Sequence, residues 1–320
     1  MLQLVLAPMD GVLDAPLRQV LTAINPFDFC ESEFVRITDK TVSSQTLLKK
    51  VPELNTGGRT SSGAPVYVQF LGSDPKAIAA SAALAVSMGA PGIDLNFGCP
   101  AKQVNRSNGG AALLKDPDLM RRICADVRNA VPDQVPVHAK MRLGFDSCDR
   151  YLELAEALYS SGISMLCVHG RTKVDEYLPG TVRWDLIGRI REVCPVPVIA
   201  NGDVFDRPSA QKCLEITGCQ ALMLGRGALC LPNLAAVIRN DDEPYDYLKM
   251  TRVVHSFVES FERFNPEGNL FARFKQFLSY LREHYSPLKE REVFKRVCRA
   301  ADVMEALEIL DASARDSGCA

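Results

Sequence analysis

No CxxC pair occurs among the 11 cysteines of this 320-residue chain, which removes the spacing of zinc knuckles and thioredoxin-type redox sites. The cysteines are scattered singly from Cys30 to Cys319 and their number is odd, so no disulfide framework is expected. Isolated thiols of this kind suit a reducing cytoplasm, where most serve as small buried hydrophobes. No basic segment leading to a cleavage site opens the chain, so MLQLVLAPMDG is not read as a signal peptide. The longest apolar-rich run, AIAASAALAVSMGA at 77–90, is too short to span a bilayer. A cytoplasmic protein with no metal site and no membrane contact is expected. No GxGxxG follows a predicted strand, which argues against a built-in dinucleotide fold. Net charge is also low, a formal −2, so the chain as a whole gives no nucleic-acid signal.

That low charge conceals an asymmetry. Residues 269–299 hold eight Lys or Arg against three Glu, a local +5 on an otherwise acidic protein. Such a patch suits a polyanionic partner, and a pair of solvated helix faces accounts for it equally well. Composition is otherwise ordinary, 47% hydrophobic and 24% charged, and the length permits a large core without staples.

Eight short apolar runs recur along the first 230 residues: LQLVLA (2–7), FDFCESEF (27–34), PVYVQFL (65–71), GIDLN (92–96), PVHAKMR (136–142), SMLCVH (164–169), VPVIAN (196–201) and QALMLG (220–225). Helical patterns separate them, as at 76–89, 117–130, 149–161, 184–193 and 207–217. Two of these carry an Asp just before a proline in the first turn. Eight strands alternating with helices predict an α/β fold, a closed (β/α)8 TIM barrel rather than an open sheet. From about Pro244 only helical patterns remain. Residues 1–240 are therefore expected to form the barrel and 241–320 a C-terminal all-helical domain.

The carboxyl ends of barrel strands carry active sites. Read in order, those ends bear Pro8-Met9-Asp10, Glu33 to Arg36, Gln69, Asn96 with Cys99, and Lys140 with Arg142. His169-Gly170-Arg171-Thr172, Asn201-Gly202-Asp203 and Gly225-Arg226-Gly227 complete the series. Packing alone does not require so many polar groups at successive strand ends. After the seventh and eighth strands, glycines beside Arg226 expose backbone N–H groups where barrels bind phosphate. Lys140 suits an anion-bearing ring, and Gln69 offers a donor and an acceptor to an imide-like edge. Together these residues suit flavin mononucleotide (FMN), with Lys140 toward the N1/O2 side. A nicotinamide donor would then dock only transiently. The remaining oddity is Cys99, fixed between glycine and proline in GIDLNFGCPAK.

The segments APMDGVLD, VQFLG, DLNFGCPAKQVNRSNGGAALLKDP, KMRLGFD, HGRT, VIANGDV and LGRGAL resemble the tRNA-dihydrouridine synthases over essentially the whole chain. The tail, with ARFKQFLSYLR, looks most like the bacterial DusC branch, whose members reduce uridine 16 of the tRNA D-loop. The resemblance implies that NADPH reduces bound FMN, that hydride reaches C6 of the uracil, and that Cys99 supplies the proton to C5. An ordinary thiol, with a pKa of about 8.5, is mostly protonated at neutral pH and serves as an acid without tuning. It further implies that Pro8, Met9, Asp10, Gln69, Lys140, His169, Asn201, Gly202, Asp203, Gly225 and Arg226 hold the cofactor. Asn96 would contact the target uracil, and Arg36, Arg273, Lys275 and Tyr280 the tRNA. The alternative within the same chemistry is an FMN-dependent barrel reductase of a free pyrimidine or other small molecule. A flavin-free barrel lyase and a non-catalytic RNA binder are the rivals from other classes.

Overall fold

The computed structural model describes residues 1–240 and 242–317, with Arg291 and Ser317 described by backbone alone. Cys319 lies outside the described residues. Eight parallel strands close into a ring: β1 (Gln3–Leu6), β2 (Phe29–Glu31), β3 (Val66–Leu71), β4 (Ile93–Phe97), β5 (Val137–Gly144), β6 (Met165–Thr172), β7 (Val198–Asn201) and β8 (Ala221–Leu224). Neighbours in sequence are neighbours in the sheet, and the ring is closed by β1 against β8, with Gln3 opposite Ala221. Between β2 and β3 the contact is brief, Cys30 opposite Val66 and Glu31 opposite Tyr67. A two-residue strand, Val35–Arg36, continues the pairing with the end of β3, Val35 opposite Phe70 and Arg36 opposite Leu71.

All eight strands sit on the sequence runs that predicted them, with ends shifted by at most three residues. Helices Pro75–Ser87, Pro117–Ala130 and Arg207–Thr217 start where Asp side chains cap them. Asp74 accepts from Ala77 N at 2.9 Å, Asp116 from Leu119 N at 2.9 Å and Asp206 from Ser209 N at 2.7 Å. Proline in each first turn has no N–H to leave unsatisfied, so cap and proline define the start together. Inside the ring Val5, Phe29, Cys167, Ile199 and Met223 pack as their own small cluster. The main core lies between the strands and the helices around them.

From Tyr247 the chain is helical, with Tyr247–Phe264 and Leu270–Leu281 the first long elements. Phe257, Phe261, Phe274 and Phe277 pack between them, and the same core is continuous with that of the barrel. Ser260 Oγ donates to Pro16 O at 3.1 Å across that junction. Arg273 adds an ion pair to Asp14 at 2.9 Å and donates to the carbonyls of Gly11 and Val12. The tail is thereby fixed against the rim of the barrel.

Candidate active site

The carboxyl ends of the strands enclose a cavity of about 550 Å³, within the ~300–1,000 Å³ range of sites for small ligands and cofactors. Every residue expected to hold the cofactor lines it: Pro8, Met9, Asp10, Gln69, Lys140, His169, Asn201, Gly202, Asp203, Gly225 and Arg226. Cys99 and Asn96 join them, and Tyr280 brings the tail helix to the same wall. Arg36, Arg273 and Lys275 do not line the cavity. Arg36 donates to Ser107 Oγ at 2.7 Å, Arg273 is committed to the junction with the barrel, and Lys275 Nζ lies 4.1 Å from the Phe271 ring centre.

The loop carrying Cys99 is pinned from several sides. Asn96 Oδ1, at the end of β4, accepts from Gly98 N at 3.0 Å and Cys99 N at 2.9 Å. The Cys99 carbonyl accepts from Asn105 Nδ2 and Ala111 N, both at 3.0 Å. Arg142 Nε donates to Gly98 O at 2.8 Å from β5. Gly110 has φ +58°, and a Cβ there would stand 2.9 Å from Cys99 Cβ. The glycines of SNGGAA, unremarkable as a sequence pattern, thus seat the cysteine loop. Burial pushes the Cys99 thiol above its ordinary value, against the opposing pull of Arg142 and Lys140. Cys99 therefore holds its proton at neutral pH.

On the opposite side of the mouth the groups are cationic. Lys140 Nζ donates to Asn201 Oδ1 at 3.0 Å, and Asn201 Nδ2 donates to Met223 O at 2.9 Å. Asp203, at φ +54°, binds two guanidinium groups. Fully buried Arg171 grips its carboxylate with two nitrogens, and Arg226 donates to Oδ1 at 2.9 Å. His169 is buried with Nδ1 unpartnered among the described residues, and burial holds its pKa well below the usual value. It stands as a neutral imidazole facing the cavity. The arrangement offers an anionic, planar ligand the cationic groups and the neutral ring it needs.

Some participants were not predicted. Tyr177 reaches the mouth from the loop after β6, its ring 4.9 Å from the Arg226 guanidinium and 5.3 Å from that of Arg142. That loop is tied by Asp175, which accepts from Thr172 N at 2.8 Å and Arg183 Nη1 at 2.7 Å. No residue pattern in the loop distinguishes Tyr177 from any exposed aromatic. Gln69 differs from expectation in a specific way. Its Nε2 donates downward to Asp94 Oδ2 at 2.6 Å and Glu31 Oε2 at 3.3 Å, so it keeps only acceptor capacity toward the cavity. The signal for this was Asp94 itself, a carboxylate between Ile93 and Leu95 in a buried strand.

Comparison with known proteins agrees with this geometry. A family model described as dihydrouridine synthase (Dus) matches residues 5–316. The tRNA-dihydrouridine(16) synthase of Yersinia pestis is 44% identical over 285 residues, 89% of this chain and 91% of its own length. That of Haemophilus influenzae is 42% identical over 303 residues, covering 94% of this chain and 97% of its own. Among solved structures, a variant of NCR from Zymomonas mobilis superposes with a TM-score of 0.52 at 13% identity, over 78% of this chain and 89% of that one. A 2-naphthoyl-CoA reductase gives 0.54 at 12%, over 75% and 50%. These two carry the fold alone. The match of the family model across nearly the whole chain, with relatives above 40% identity, places this protein in the dihydrouridine synthase family.

Proposed function

We propose that the chain is a tRNA-dihydrouridine(16) synthase, reducing the C5=C6 bond of uridine 16 in the tRNA D-loop with bound FMN and NADPH as the electron donor. The observation that carries the reading is Cys99, a protonated thiol on a loop held by five hydrogen bonds at the mouth of a cationic cavity. The residues fit FMN. Asn201, Gly202, Asp203, Gly225 and Arg226 would take the phosphate and ribityl end, while Lys140, His169 and the Gln69 carbonyl would face the ring. Pro8, Met9 and Asp10 would close the cavity beside it. Held there, the flavin would supply the hydride chemistry for C6 of the uracil, with NADPH as the source of electrons.

The remaining work falls to this chain. Cys99 gives its proton to C5, and Asn96 orients the loop that holds the sulfur. General acid catalysis of this type contributes about 10²–10⁴-fold. Extracting the base from a folded loop costs a few kcal/mol of stacking, roughly, which contacts to the RNA backbone offset. In this reading Arg36, Lys275 and Tyr280 would make such contacts, and Arg273 holds the helix that carries two of them. In this reading residues 1–240 catalyse and 241–320 grip the tRNA. Tyr280 supports a macromolecular substrate over a free pyrimidine, because a wall contributed by the tail serves no purpose for so small a ligand.

Mass-spectrometric mapping of D-loop dihydrouridine in a deletion strain tests the proposal. One position is expected to revert to uridine and to be restored by the wild-type gene. Unaltered dihydrouridine at every D-loop position would refute it.

A further inference from the structure

Beneath the cavity lies a pair of carboxyls that the reaction above does not use. Glu31 ends β2 and Asp94 sits in β4, and both side chains are wholly buried. Each directs one oxygen at the Gln69 amide nitrogen, at 3.3 Å and 2.6 Å. Their other oxygens, Glu31 Oε1 and Asp94 Oδ1, are buried with no partner among the described residues. From Gln69 the bonds continue upward. Asn96 Nδ2 donates to Gln69 Oε1 at 2.8 Å, and Asn96 Oδ1 accepts from Gly98 N and Cys99 N.

An amide side chain is nearly symmetric in shape, so its environment decides which end donates. A carboxylate accepts only. The floor therefore forces the Gln69 NH₂ downward and its oxygen upward, which turns the Asn96 NH₂ toward Gln69 and leaves the Asn96 oxygen for the cysteine loop. Reversal at the floor would set an NH₂ group against the two loop N–H donors. We infer that Glu31 and Asp94 together fix the donor–acceptor polarity of a Gln69–Asn96 relay and so position the Cys99 loop. Two negative charges around one buried amide are costly, and burial accordingly pushes both carboxyls upward, Glu31 further by the charge of Asp94. Lys140 favours the ionised member. One ionised carboxylate is enough to set the polarity, and the second holds the proton.

The inference rests on Cys99 as the acid of the proposed reaction, and the experiment separates the two. Glu31→Gln, Asp94→Asn and the double variant are compared as FMN-loaded enzymes on unmodified tRNA. Each single substitution leaves one acceptor and is expected to lose less than about threefold, whereas the double is expected to lose about 10²-fold in kcat, the lower reach of general acid catalysis. KM for tRNA and flavin reduction by NADPH should hold. Iodoacetamide should alkylate Cys99 faster in the double variant. Infrared spectra should show a protonated-carboxyl C=O stretch in the wild type that the double variant lacks. A double variant at wild-type rate, or a wild type without that band, overturns the relay. If the double variant does not fold, Asn96→Asp reads the same link, because its carboxylate opposes Gln69 Oε1, and wild-type turnover there would overturn it as well. Should Cys99→Ala turn over at the wild-type rate, the acid assignment fails instead, whatever the carboxyl variants do.

Discussion

Replacing Asp203 by Asn tests the ionic centre of the cofactor end without touching the backbone. Asp203 lies at φ +54°, a left-handed conformation that Asn tolerates nearly as well, so local strain is unchanged. What changes is the partner of Arg171, whose side chain has no exposed surface. Its other donors go to Thr181 Oγ1 at 2.8 Å and Leu178 O at 2.9 Å, both neutral. Removing the anion from a buried pair costs about 3–5 kcal/mol, because the surviving charge is left in a dry site. The Asn oxygen retains one of the two bonds, which places the expected loss near the lower end, about 3 kcal/mol. Arg226, 29% exposed, rehydrates and adds little. For a chain of this size the loss corresponds to a melting shift of roughly 4–5 °C. Calorimetry of the flavin-free protein reads it directly. Inorganic phosphate should raise the midpoint of Asp203→Asn more than that of the wild type, since an unpaired guanidinium gains from any anion. Asp203→Ala should be worse than Asp203→Asn, having neither acceptor nor tolerance for positive φ. A flavin-free Asp203→Asn within about 0.5 kcal/mol of wild type, the scatter of an ordinary surface change, would refute the argument.

Cys99→Ala is expected to purify yellow and to lose about 10²–10⁴-fold in tRNA reduction while still oxidising NADPH. In the wild type the acid form of Cys99 is present below its raised pKa and is lost as pH climbs through it. The Cys99 limb of kcat/KM should therefore lie above the ordinary thiol value of about 8.5, and a limb below that would contradict the burial argument. Gly110→Ala puts a Cβ 2.9 Å from both Cys99 Cβ and its carbonyl in a left-handed conformation. It should cost about 1–2 kcal/mol for the conformation alone and reduce tRNA turnover more than flavin reduction, measured as separate half-reactions. Arg18 and Glu53, fully buried and paired at 2.9 Å, should behave as a unit. Arg18→Met alone should lose about 3–5 kcal/mol in urea unfolding, and Arg18→Met with Glu53→Leu distinctly less, since no charge is then stranded.

The barrel was legible because its signals repeat. Eight apolar runs of strand length alternate with helices, four of which open on an Asp cap with an early proline, and this leaves little freedom once the helices must cover the outer face of the ring. The mouth was legible for the same reason, since strand ends fall at known positions in that repeat. Gln69 was misjudged in polarity because its partners, Glu31 and Asp94, lie on β2 and β4 and become adjacent only when the ring closes. Tyr177 stayed hidden because its place depends on the Asp175 ties within its loop. Arg273 stands out in sequence as a cation on a basic helix, yet its donors meet Asp14 and the Gly11 and Val12 carbonyls, some 260 residues earlier. Charge counting finds such residues without telling an RNA contact from a structural clamp.

The electrostatics of the mouth explain why a cysteine and a histidine share it without forming a nucleophilic pair. Such a pair needs an imidazolium beside a thiolate. Burial drives His169 toward its neutral form, and Arg142, Lys140, Arg171 and Arg226 all push the same way. Two of those cations, Arg142 and Lys140, also draw Cys99 toward the thiolate, while burial and the Asp10 carboxylate oppose them, burial being the largest effect. The field thus denies the histidine the charge it would have to lend, and desolvation keeps the proton on sulfur. The cavity lining keeps a small cationic excess, Lys102, Lys140, Arg142 and Arg226 against Asp10, Glu176 and Asp203. Under the proposed function that excess is available to a phosphate and to a ring that gains negative charge on reduction, while Cys99 keeps its proton.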